Sequence, residues 1–497
     1  MHRERIVTLK IFIHSFKIHS LTDKYETVIG LEAHVQLSTR TKAFCADDAT
    51  YGGAPNTHIS TISMAHPGTL PRVNEQAIKY AVRLGLALGC EITRDTRFDR
   101  KNYFYADLPK GFQTTQDSHP ICVGGALKIG ERTIRLHHIH MEEDAGKSIH
   151  DINPKHSLID LNRAGVPLLE VVTEPDLRSA DEAAEFITKL RQIVRYLGIC
   201  DGNMQEGSIR CDCNVSVRLK GATEYGTRCE IKNINSMRNA KRAIEYEARR
   251  QIRILEKGGE IDQETRAFDA QAGHTDVVLR TKENAHDYRY FPEPDLLPVV
   301  LTEEYIDDIR ANMPQLPHEI HAELTGNYGL SEYDADVILE EKEMVVFYKK
   351  ITTHTKNYKA AANWLTNIIQ SHLNDNQLII SEFNLHPKTI AELIQLVDDN
   401  KLSNAAAAQK VFPELVKQPN TPPLELAKKL NLIQDSDEGN IEAIIDSVIA
   451  KHPDKVKAYQ KGKKGLIGMF MGEVMKASGG KVNPKVANRL LQEKLSK

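Results

Sequence analysis

The sequence contains no long hydrophobic run. It has no stretch of about eighteen apolar residues, the length that a membrane-spanning helix needs. Hydrophobic residues make up 41% of the 497 residues and charged residues 27%, close to the values of globular proteins. We therefore expect no membrane association and, because single cores stop growing near about 300 residues, about three domains.

Cysteine is scarce and its number is odd. The seven cysteines are scattered, at positions 45, 90, 122, 200, 211, 213 and 229. This distribution argues against a disulfide framework and favours reduced thiols, so we predict a cytoplasmic protein. Cys211 and Cys213 alternate with polar residues, which predicts core packing rather than metal ligation.

Three common catalytic patterns are also missing. Gly146-Lys147-Ser148 is similar to the end of a P-loop, but Met141 occupies the place of the first glycine that this motif requires. The sequence has neither a Gly-x-Ser-x-Gly turn nor a Cys/His nucleophile pair in a recognisable local setting. Acyl-enzyme chemistry within the chain is therefore unsupported.

The first 24 residues differ from the rest. Arg3, Arg5, Lys10 and Lys17 surround a short apolar stretch, an arrangement that a targeting peptide can share. The segment has no small-residue cleavage site and little serine. We therefore expect a disordered extension at residues 1–24.

Within residues 133–148, a strand-like segment runs into three consecutive carboxylates. Alternation places Leu136, His138, His140 and Glu142 on one face, and Arg135, His137, Ile139, Met141 and Glu143 on the other. Glu142, Glu143 and Asp144 repel one another unless a cation lies among them, and oxygen ligands of this kind suit Mg²⁺ with phosphates. A solvated, charged hairpin end explains the segment equally well, so both interpretations stay open.

Three further segments carry polar strand faces of the same kind. They lie within 25–37, 207–218 and 227–232, and present Glu32, His34, Gln36, Arg210, Asp212, Arg228, Glu230 and Lys232. Any one of these faces could be a solvent-exposed surface with ion pairs. Four faces together favour an antiparallel cradle that holds Mg²⁺ and a triphosphate without a glycine-rich loop.

The remaining periodicity predicts helices. Amphipathic patterns indicate helices at residues 74–90, 179–200 and 236–257, and strand patterning stops after residue 298. We predict an α+β fold in which the extension precedes three domains. These are a cradle built on a largely antiparallel sheet with flanking helices at 25–298, a helical domain at 299–419, and a small all-α tail domain at 420–497.

Two segments have the composition of an RNA-binding surface, although the net charge is only −3. A proline-containing loop places Tyr288, Arg289 and Tyr290 where they could stack on a terminal base and pair with its phosphate. Residues 451–497 hold twelve Lys or Arg against three Asp or Glu, with Lys463, Lys464, Lys476 and Lys481 near glycines. The alternative for the loop is an aromatic plug, and the alternative for residues 451–497 is a basic tail that is merely soluble.

Seven motifs, in order, resemble those of the B subunits of aspartyl/glutamyl-tRNA amidotransferases. They are Ile29-Gly-Leu-Glu-Ala-His-Val-Gln-Leu37, Lys101-Asn-Tyr-Phe-Tyr-Ala-Asp-Leu-Pro-Lys-Gly111, His140-Met-Glu-Glu-Asp-Ala-Gly-Lys147, Asp160-Leu-Asn-Arg-Ala-Gly-Val-Pro-Leu168, Gln205-Glu-Gly-Ser-Ile-Arg-Cys-Asp212, Glu230-Ile-Lys-Asn-Ile-Asn-Ser236 and Asp287-Tyr-Arg-Tyr-Phe-Pro-Glu-Pro-Asp295. The resemblance runs from about Tyr25 to the end, and the tail looks like the family's tRNA-binding module.

The resemblance implies a heterotrimer with an amidase (glutaminase) subunit, which releases ammonia, and a small third subunit. With ATP and Mg²⁺, this chain would phosphorylate the side-chain carboxylate of misacylated Glu-tRNA(Gln) or Asp-tRNA(Asn), and ammonia would displace the phosphate. A non-catalytic RNA-binding scaffold of the same fold is the alternative.

Residue roles follow from the match to the motifs. The metal would be held by Glu32, His34, Glu142, Glu143, Glu206 and Asp212. The catalytic groups would be Glu142, Lys147, Arg210 and Lys232, and the ATP phosphates would contact Lys147, Arg210, Arg228 and Lys232. RNA would contact Tyr288, Arg289, Tyr290, Lys463, Lys464, Lys476 and Lys481.

One loop departs from the family pattern. Many members carry four zinc-binding cysteines there, and the matching positions in this sequence are Cys45, Asp47, Ser60 and Ser63. Because one thiolate of four remains, we expect no stoichiometric zinc and a loop held by packing and hydrogen bonds.

Overall fold

A computed structural model describes residues 24–150, 152–281, 285–434, 437–479 and 481–496. Apart from Lys24, the predicted extension at 1–24 lies outside these residues. The chain forms two compact units, Met1–Pro317 and His318–Lys497.

The strands that the structure describes all lie in the first unit. In chain order they are β1 (Tyr25–Gln36), β2 (Glu91–Ile92), β3 (Asp95–Thr96), β4 (Asp99–Asn102), β5 (Phe112–Thr115), β6 (Cys122–Val123), β7 (Ala126–Ile129), β8 (Arg132–Glu143), β9 (Lys147–Ile149), β10 (Leu158–Asp160), β11 (Pro167–Thr173), β12 (Ile209–Leu219), β13 (Cys229–Lys232), β14 (Glu264–Asp269), β15 (His274–Thr281), β16 (Phe291–Pro292) and β17 (Val299–Val300).

Ten of the described strands form one sheet. Its order is β15-β14-β13-β12-β1-β11-β8-β6-β2, and β7 also pairs with β8. Within the described part of the chain, only β13 and β14 run parallel; the other pairs are antiparallel. The prediction of a largely antiparallel sheet is confirmed.

Three of the described helices cover one face of this sheet, and a fourth packs against the first of them. They are α1 (Glu75–Ala87), α2 (Ala180–Leu197), α3 (Met237–Leu255) and α4 (Glu303–Ala311). The first three begin after Asn74, Ser179 and Ser236, whose side chains accept hydrogen bonds from the first helical turn. Their apolar stripes pack with alternate residues of β1 and β12 in a single core, as the periodicity predicted.

The first unit extends beyond the predicted domain limit at 298. Leu301, Ile306 and Ile309 are buried in its core, because α4 contributes its apolar face there. Cys211 and Cys213 pack in the same core, which confirms the interpretation of that pair.

The second unit is helical. Its helices are α5 (Pro317–Gly326), α6 (Glu332–Leu339), α7 (Lys342–Thr352), α8 (Tyr358–Asn363), α9 (Gln370–Asn376), α10 (Pro387–Asp398), α11 (Asn404–Ala406), α12 (Phe412–Lys417), α13 (Pro423–Lys429), α14 (Glu438–Lys451), α15 (Pro453–Gln460), α16 (Leu466–Ala477) and α17 (Pro484–Ser496), with π-helical turns at Trp364–Ile369 and Ala407–Val411. Residues 441–495 contribute a core cluster of their own. Among the described residues, no helix is both long and apolar enough to cross a membrane.

One strand departs from simple alternation. On β8, Leu136 pairs with Thr173 while His138 pairs with the preceding Val172, so His137 is an extra residue, or β-bulge. Leu136 therefore points into the core, and the prediction that it shares a face with His138 is wrong.

Candidate active site

A cavity of about 980 Å³ opens over the polar face of the large sheet. Its floor comes from β8, β11, β1, β12 and β13, because alternate residues of these strands point away from the core. Ten of the predicted site residues line it: Glu32, His34, Glu142, Glu206, Arg210, Asp212, Arg228, Lys232, Tyr288 and Tyr290.

Strand register brings charged side chains into one row across this floor. His140 on β8 lies opposite Glu170 on β11, and Glu170 lies opposite His34 on β1. His34 in turn lies opposite Arg210 on β12. The antiparallel pairing of four strands therefore produces the site, although these residues are far apart in the sequence.

The closest group of metal-competent side chains is His34, Glu142 and Glu170. One ligand atom from each lies within 4.8 Å of the others. His34 Nε2 is 3.2 Å from Glu170 Oε2 and 3.7 Å from Glu142 Oε1. His140 supports both carboxylates, because its Nε2 is 3.7 Å from Glu142 Oε2 and 3.6 Å from Glu170 Oε2.

Burial and neighbouring charges shift the pKa values of this group and of Glu32 nearby. Burial lowers the pKa of His34, but the charges of Glu170 and Glu142 outweigh burial and raise that pKa to about 9. Burial raises the pKa of Glu170, but His140 and His34 hold it well below its usual value. Burial and the charge of Glu170 raise the pKa of Glu32 to about 7.

Basic groups stand beside these acids. Lys232 Nζ is 2.8 Å from Asp212 Oδ2 and 2.8 Å from Glu230 Oε1. Burial lowers the pKa of Lys232, but Asp212 and Glu230 outweigh burial and raise it, so the amine is charged at neutral pH. The charged amine of Lys232 thus lies directly against two carboxylates of the cavity.

Arg210 is incompletely satisfied. Its Nη2 donates to Asp144 Oδ2 at 3.1 Å, whereas its buried Nε has no hydrogen-bond partner among the described residues. A buried N–H left without a partner is costly, so this donor suits an anionic ligand in the cavity.

Two of the residues predicted to contact the metal or phosphate do not line the cavity. Glu143 points to the opposite side of β8, as alternation requires, where it is bonded to Lys110 Nζ and accepts from Thr114 N at 2.8 Å. Lys147 is exposed on β9, where it pairs with Asp160. The structure therefore does not bring Glu143 and Lys147 into the cavity with the other predicted site residues.

The loop predicted to contact RNA lines the cavity with only some of its residues. Tyr288 and Tyr290 line the cavity, but Arg289 does not and is exposed. Tyr288 makes edge contacts with Tyr290 and Tyr103, at 6.0 Å and 6.1 Å between ring centroids, and Lys101 Nζ lies 4.6 Å from its ring centre. One wall of the cavity is thus aromatic, and Lys101 lines the cavity next to it.

The four predicted tail lysines belong to the second unit and are exposed. Lys463 and Lys464 precede α16, Lys476 is in its last turn, and Lys481 lies beyond it. Lys464 Nζ lies 4.2 Å from the ring centre of Tyr459, and Lys481 Nζ donates to Asn431 Oδ1 at 3.0 Å.

Among the cavity residues to which the sequence analysis gave no role are Glu170, Lys101 and Tyr103. Glu170 is the lone charged residue of the otherwise apolar β11. An isolated carboxylate within an apolar strand could have identified it, because such a group needs a compensating cation. Lys101 and Tyr103 were part of a recognised motif but received no role.

The four positions that correspond to the family's zinc-binding cysteines lie close together. They are Cys45, Asp47, Ser60 and Ser63. Cys45 Sγ is 3.5 Å from Ser63 Oγ, and Ser63 Oγ donates to Asp47. Burial raises the pKa of Asp47, but hydrogen bonds from Ser63 and Ser60 outweigh burial and hold it below its usual value. Side-chain hydrogen bonds thus connect these four positions.

Comparisons with known proteins identify the class first. A family model described as the GatB/GatE catalytic domain matches residues 27–307, which include the whole cavity. A second model, described as the GatB domain, matches residues 346–495.

Curated relatives then identify the particular family. Proteins named as the B subunit of aspartyl/glutamyl-tRNA(Asn/Gln) amidotransferase are similar over nearly their full length. The protein from Persephonella marina is 47% identical over 95% of this chain and 100% of its own, and that from Rickettsia bellii is 46% identical over 96% and 99%. The protein from Chlorobium luteolum is 47% identical over 95% and 99%. The chain therefore belongs to the family of aspartyl/glutamyl-tRNA(Asn/Gln) amidotransferase B subunits.

Proposed function

We propose that this chain uses ATP to phosphorylate the side-chain carboxylate of Glu-tRNA(Gln), Asp-tRNA(Asn) or both, and then amidates it with ammonia. The observation that carries the proposal is the meeting, in one cavity, of His34, Glu142 and Glu170 with Arg210 and Lys232. The scaffold alternative gives no reason for acids and bases to be kept together in this way.

The residues present fit Mg²⁺ and phosphate. Two carboxylates converge beside an imidazole, and oxygen-rich groups of this kind suit a hard divalent cation. Arg210 Nε is a buried donor that a phosphate oxygen would satisfy. Glu142, Glu170 and, once it has lost its proton, His34 would hold the ion, which when bound would neutralise charge on the phosphoryl oxygens.

The reaction needs activation because a carboxylate has no good leaving group. A carboxylate oxygen attacks the γ-phosphorus of ATP, the bond to ADP breaks, and an acyl phosphate forms. Ammonia then attacks the acyl carbon, the bond from that carbon to the phosphate oxygen breaks, and the amide forms. Inorganic phosphate leaves with the carboxylate oxygen and takes up the proton that the nitrogen loses. Lys232 and Arg210 stabilise the negative charge that these steps concentrate on phosphate.

The proposal extends to partners. Family members are named as subunits, which supports a complex with a glutaminase subunit that supplies ammonia and a small third subunit. Tyr288 and Tyr290 would contact the acceptor end of the tRNA, and the exposed tail lysines its phosphate backbone. Seven free thiols support a reducing compartment such as the cytoplasm.

The test is ADP release by the purified complex with Glu-tRNA(Gln) and ATP, without an ammonia source. We expect release that depends on the aminoacyl group and falls by about a hundredfold in Glu142→Gln combined with Asp212→Asn. Glu131→Gln, in the exposed turn between β7 and β8, is the control. Binding of tRNA with no ADP release by the wild-type complex would favour the scaffold instead.

A further inference from the structure

Two surface segments of the first unit are joined by asparagine side chains: the loop at residues 53–58, and residues 159–163, the end of β10 with the loop that follows it. Asn56 Nδ2 donates to the carbonyl of Ile159 at 2.9 Å, and Asn56 Oδ1 accepts from the backbone N–H of Leu161 at 2.8 Å. One side-chain amide thus satisfies a donor and an acceptor of the opposite loop.

Asn162 makes the reciprocal connection. Its Nδ2 donates to the carbonyl of Ala54 at 2.7 Å, and its Oδ1 accepts from the backbone N–H of His58 at 2.8 Å. We call Asn56 and Asn162 the asparagine clamp. Because each side chain binds the other loop's backbone, neither loop can shift without breaking bonds from both asparagines.

The clamp lies next to a wall of the cavity. Arg163, which follows Asn162, donates from Nε to the carbonyl of Ala145 at 2.9 Å and from Nη2 to that of Gly146 at 2.7 Å. Arg163, Asp144 and Ala145 all line the cavity. Asp144 Oδ2 lies 3.6 Å from Arg163 Nε and accepts from Arg210, so the loop reaches the proposed phosphate-binding group through one carboxylate.

The same loop is fixed from the interior. The side chain of Lys42 is fully buried, and its Nζ donates to the carbonyl of Leu161 at 3.2 Å. Asp144 N donates to the carbonyl of Val166 at 2.8 Å. The loop is therefore held on its inner side by Lys42 and on its outer side by the clamp.

We infer that Asn56 and Asn162 are positioning residues, which hold the 159–163 loop so that Arg163 and Asp144 orient Arg210 in the cavity. The kinetic part of this inference rests on the proposed function. The clamp itself touches neither substrate nor cofactor, and its effect passes through Arg163.

Asn56→Gly is the most informative variant. Asn56 has a φ of 59°, a left-handed conformation that glycine adopts readily, so glycine removes the side-chain bonds while keeping the backbone. Asn400→Gly is a matched control, because Asn400 has a φ of 55° and lies in the second unit.

The kinetic test uses ADP release by the full complex. We expect Asn56→Gly to lower the rate at saturating ATP by about tenfold, because small displacements of an active-site group slow the chemical step. The double variant with Arg163→Lys should be little slower than Arg163→Lys alone, since both changes affect the same group. Asn400→Gly should match the wild type. Multiplicative effects of Asn56→Gly and Arg163→Lys would overturn the inference.

Hydrogen–deuterium exchange of the same complex gives a readout that does not depend on activity. We expect Asn56→Gly to speed exchange in residues 159–163 and also in 144–147, with no change elsewhere in the described sheet. Faster exchange confined to 53–58 would overturn the clamp. Absence of ADP release in the wild type would instead contradict the proposed function and leave the exchange result to decide on the clamp.

Discussion

The carboxylate of Glu170 lies 3.2 Å from Nε2 of His34 on the neighbouring strand, and Glu142 lies within reach of both. Strand pairing fixes this relationship, because Glu170 is directly opposite His34 in the register of β11 and β1. The contact joins His34, which the sequence predicts as a metal ligand, to Glu170, which it does not.

Glu170→Gln should weaken divalent metal binding. The substitution keeps the size of the side chain but removes a charge that the ion would compensate, and losses around metal sites typically cost about ten- to a hundredfold in affinity. Mn²⁺ binding to the purified complex, followed by electron paramagnetic resonance, measures this. Glu174→Gln, just beyond β11 and outside the cavity lining, should bind as the wild type does. Equal affinity in the Glu170 variant would remove it from the proposed metal site.

Lys147→Ala should leave ADP release within about a factor of two of the wild type, the usual range for exposed substitutions. Lys147 is exposed on β9 and does not line the cavity, although its motif suggested a phosphate contact. The measurement is the ADP-release rate at saturating and at low ATP. A tenfold loss at low ATP would show that Lys147 reaches the nucleotide after all.

Alternation was a reliable guide where strands are regular. From Ile29 to Val35 on β1 and from Ile209 to Val217 on β12, every second residue is apolar and buried, so the faces carrying Glu32, His34, Arg210 and Asp212 could be predicted. On β8 the bulge at His137 changes which residues share a face, and no local pattern reveals a bulge that tertiary pairing imposes.

The missed residues have a common physical reason. Glu170 lies among apolar residues, and its cationic partners come from other strands that only the register of the sheet brings near. The motif match assigned both Glu142 and Glu143 to the metal, whereas adjacent strand residues face opposite ways. The family resemblance identified segments, but the sheet decides which side chains meet.

Glu247→Gln should destabilise the first unit in a pH-dependent way. Glu247 is fully buried on α3, bonded to Arg250 and Gln251. Burial raises its pKa, but Arg250 and Gln251 outweigh burial and lower it. A carboxyl whose pKa is lower in the folded state stabilises the protein above its unfolded pKa of about 4.3, and this contribution is lost as the pH falls through the folded pKa.

Urea unfolding measures the effect. We expect Glu247→Gln to cost about 2 kcal/mol at pH 7 and less at acidic pH, since charge-assisted hydrogen bonds contribute about that much. Glu245→Gln on the exposed side of the same helix is the control and should change little. A cost that stays constant as the pH falls below 4 would contradict the assigned pKa direction, since about 4.3 is the unfolded reference.

Alanine at Lys463, Lys464, Lys476 and Lys481 should weaken tRNA binding and reduce its salt dependence. The logarithmic slope should fall by about 0.7 to 0.9 for each lysine that neutralises a phosphate. The dissociation constant, titrated from low to high salt, measures this. Alanine at Lys356 and Lys359, two exposed lysines elsewhere in the second unit, should leave the slope unchanged. An unaltered slope in the tail variant would refute phosphate contacts by these lysines.

The central claim is that the side-chain carboxylate is phosphorylated before it is amidated, and isotope transfer tests it most directly. Glu-tRNA(Gln) carrying ¹⁸O in both side-chain carboxylate oxygens is converted by the complex with ATP and ammonia, and the inorganic phosphate is analysed by mass spectrometry. The account predicts one ¹⁸O in each phosphate released, because the attacking carboxylate oxygen leaves with phosphorus. Phosphate free of ¹⁸O, formed in step with the amide, would contradict it.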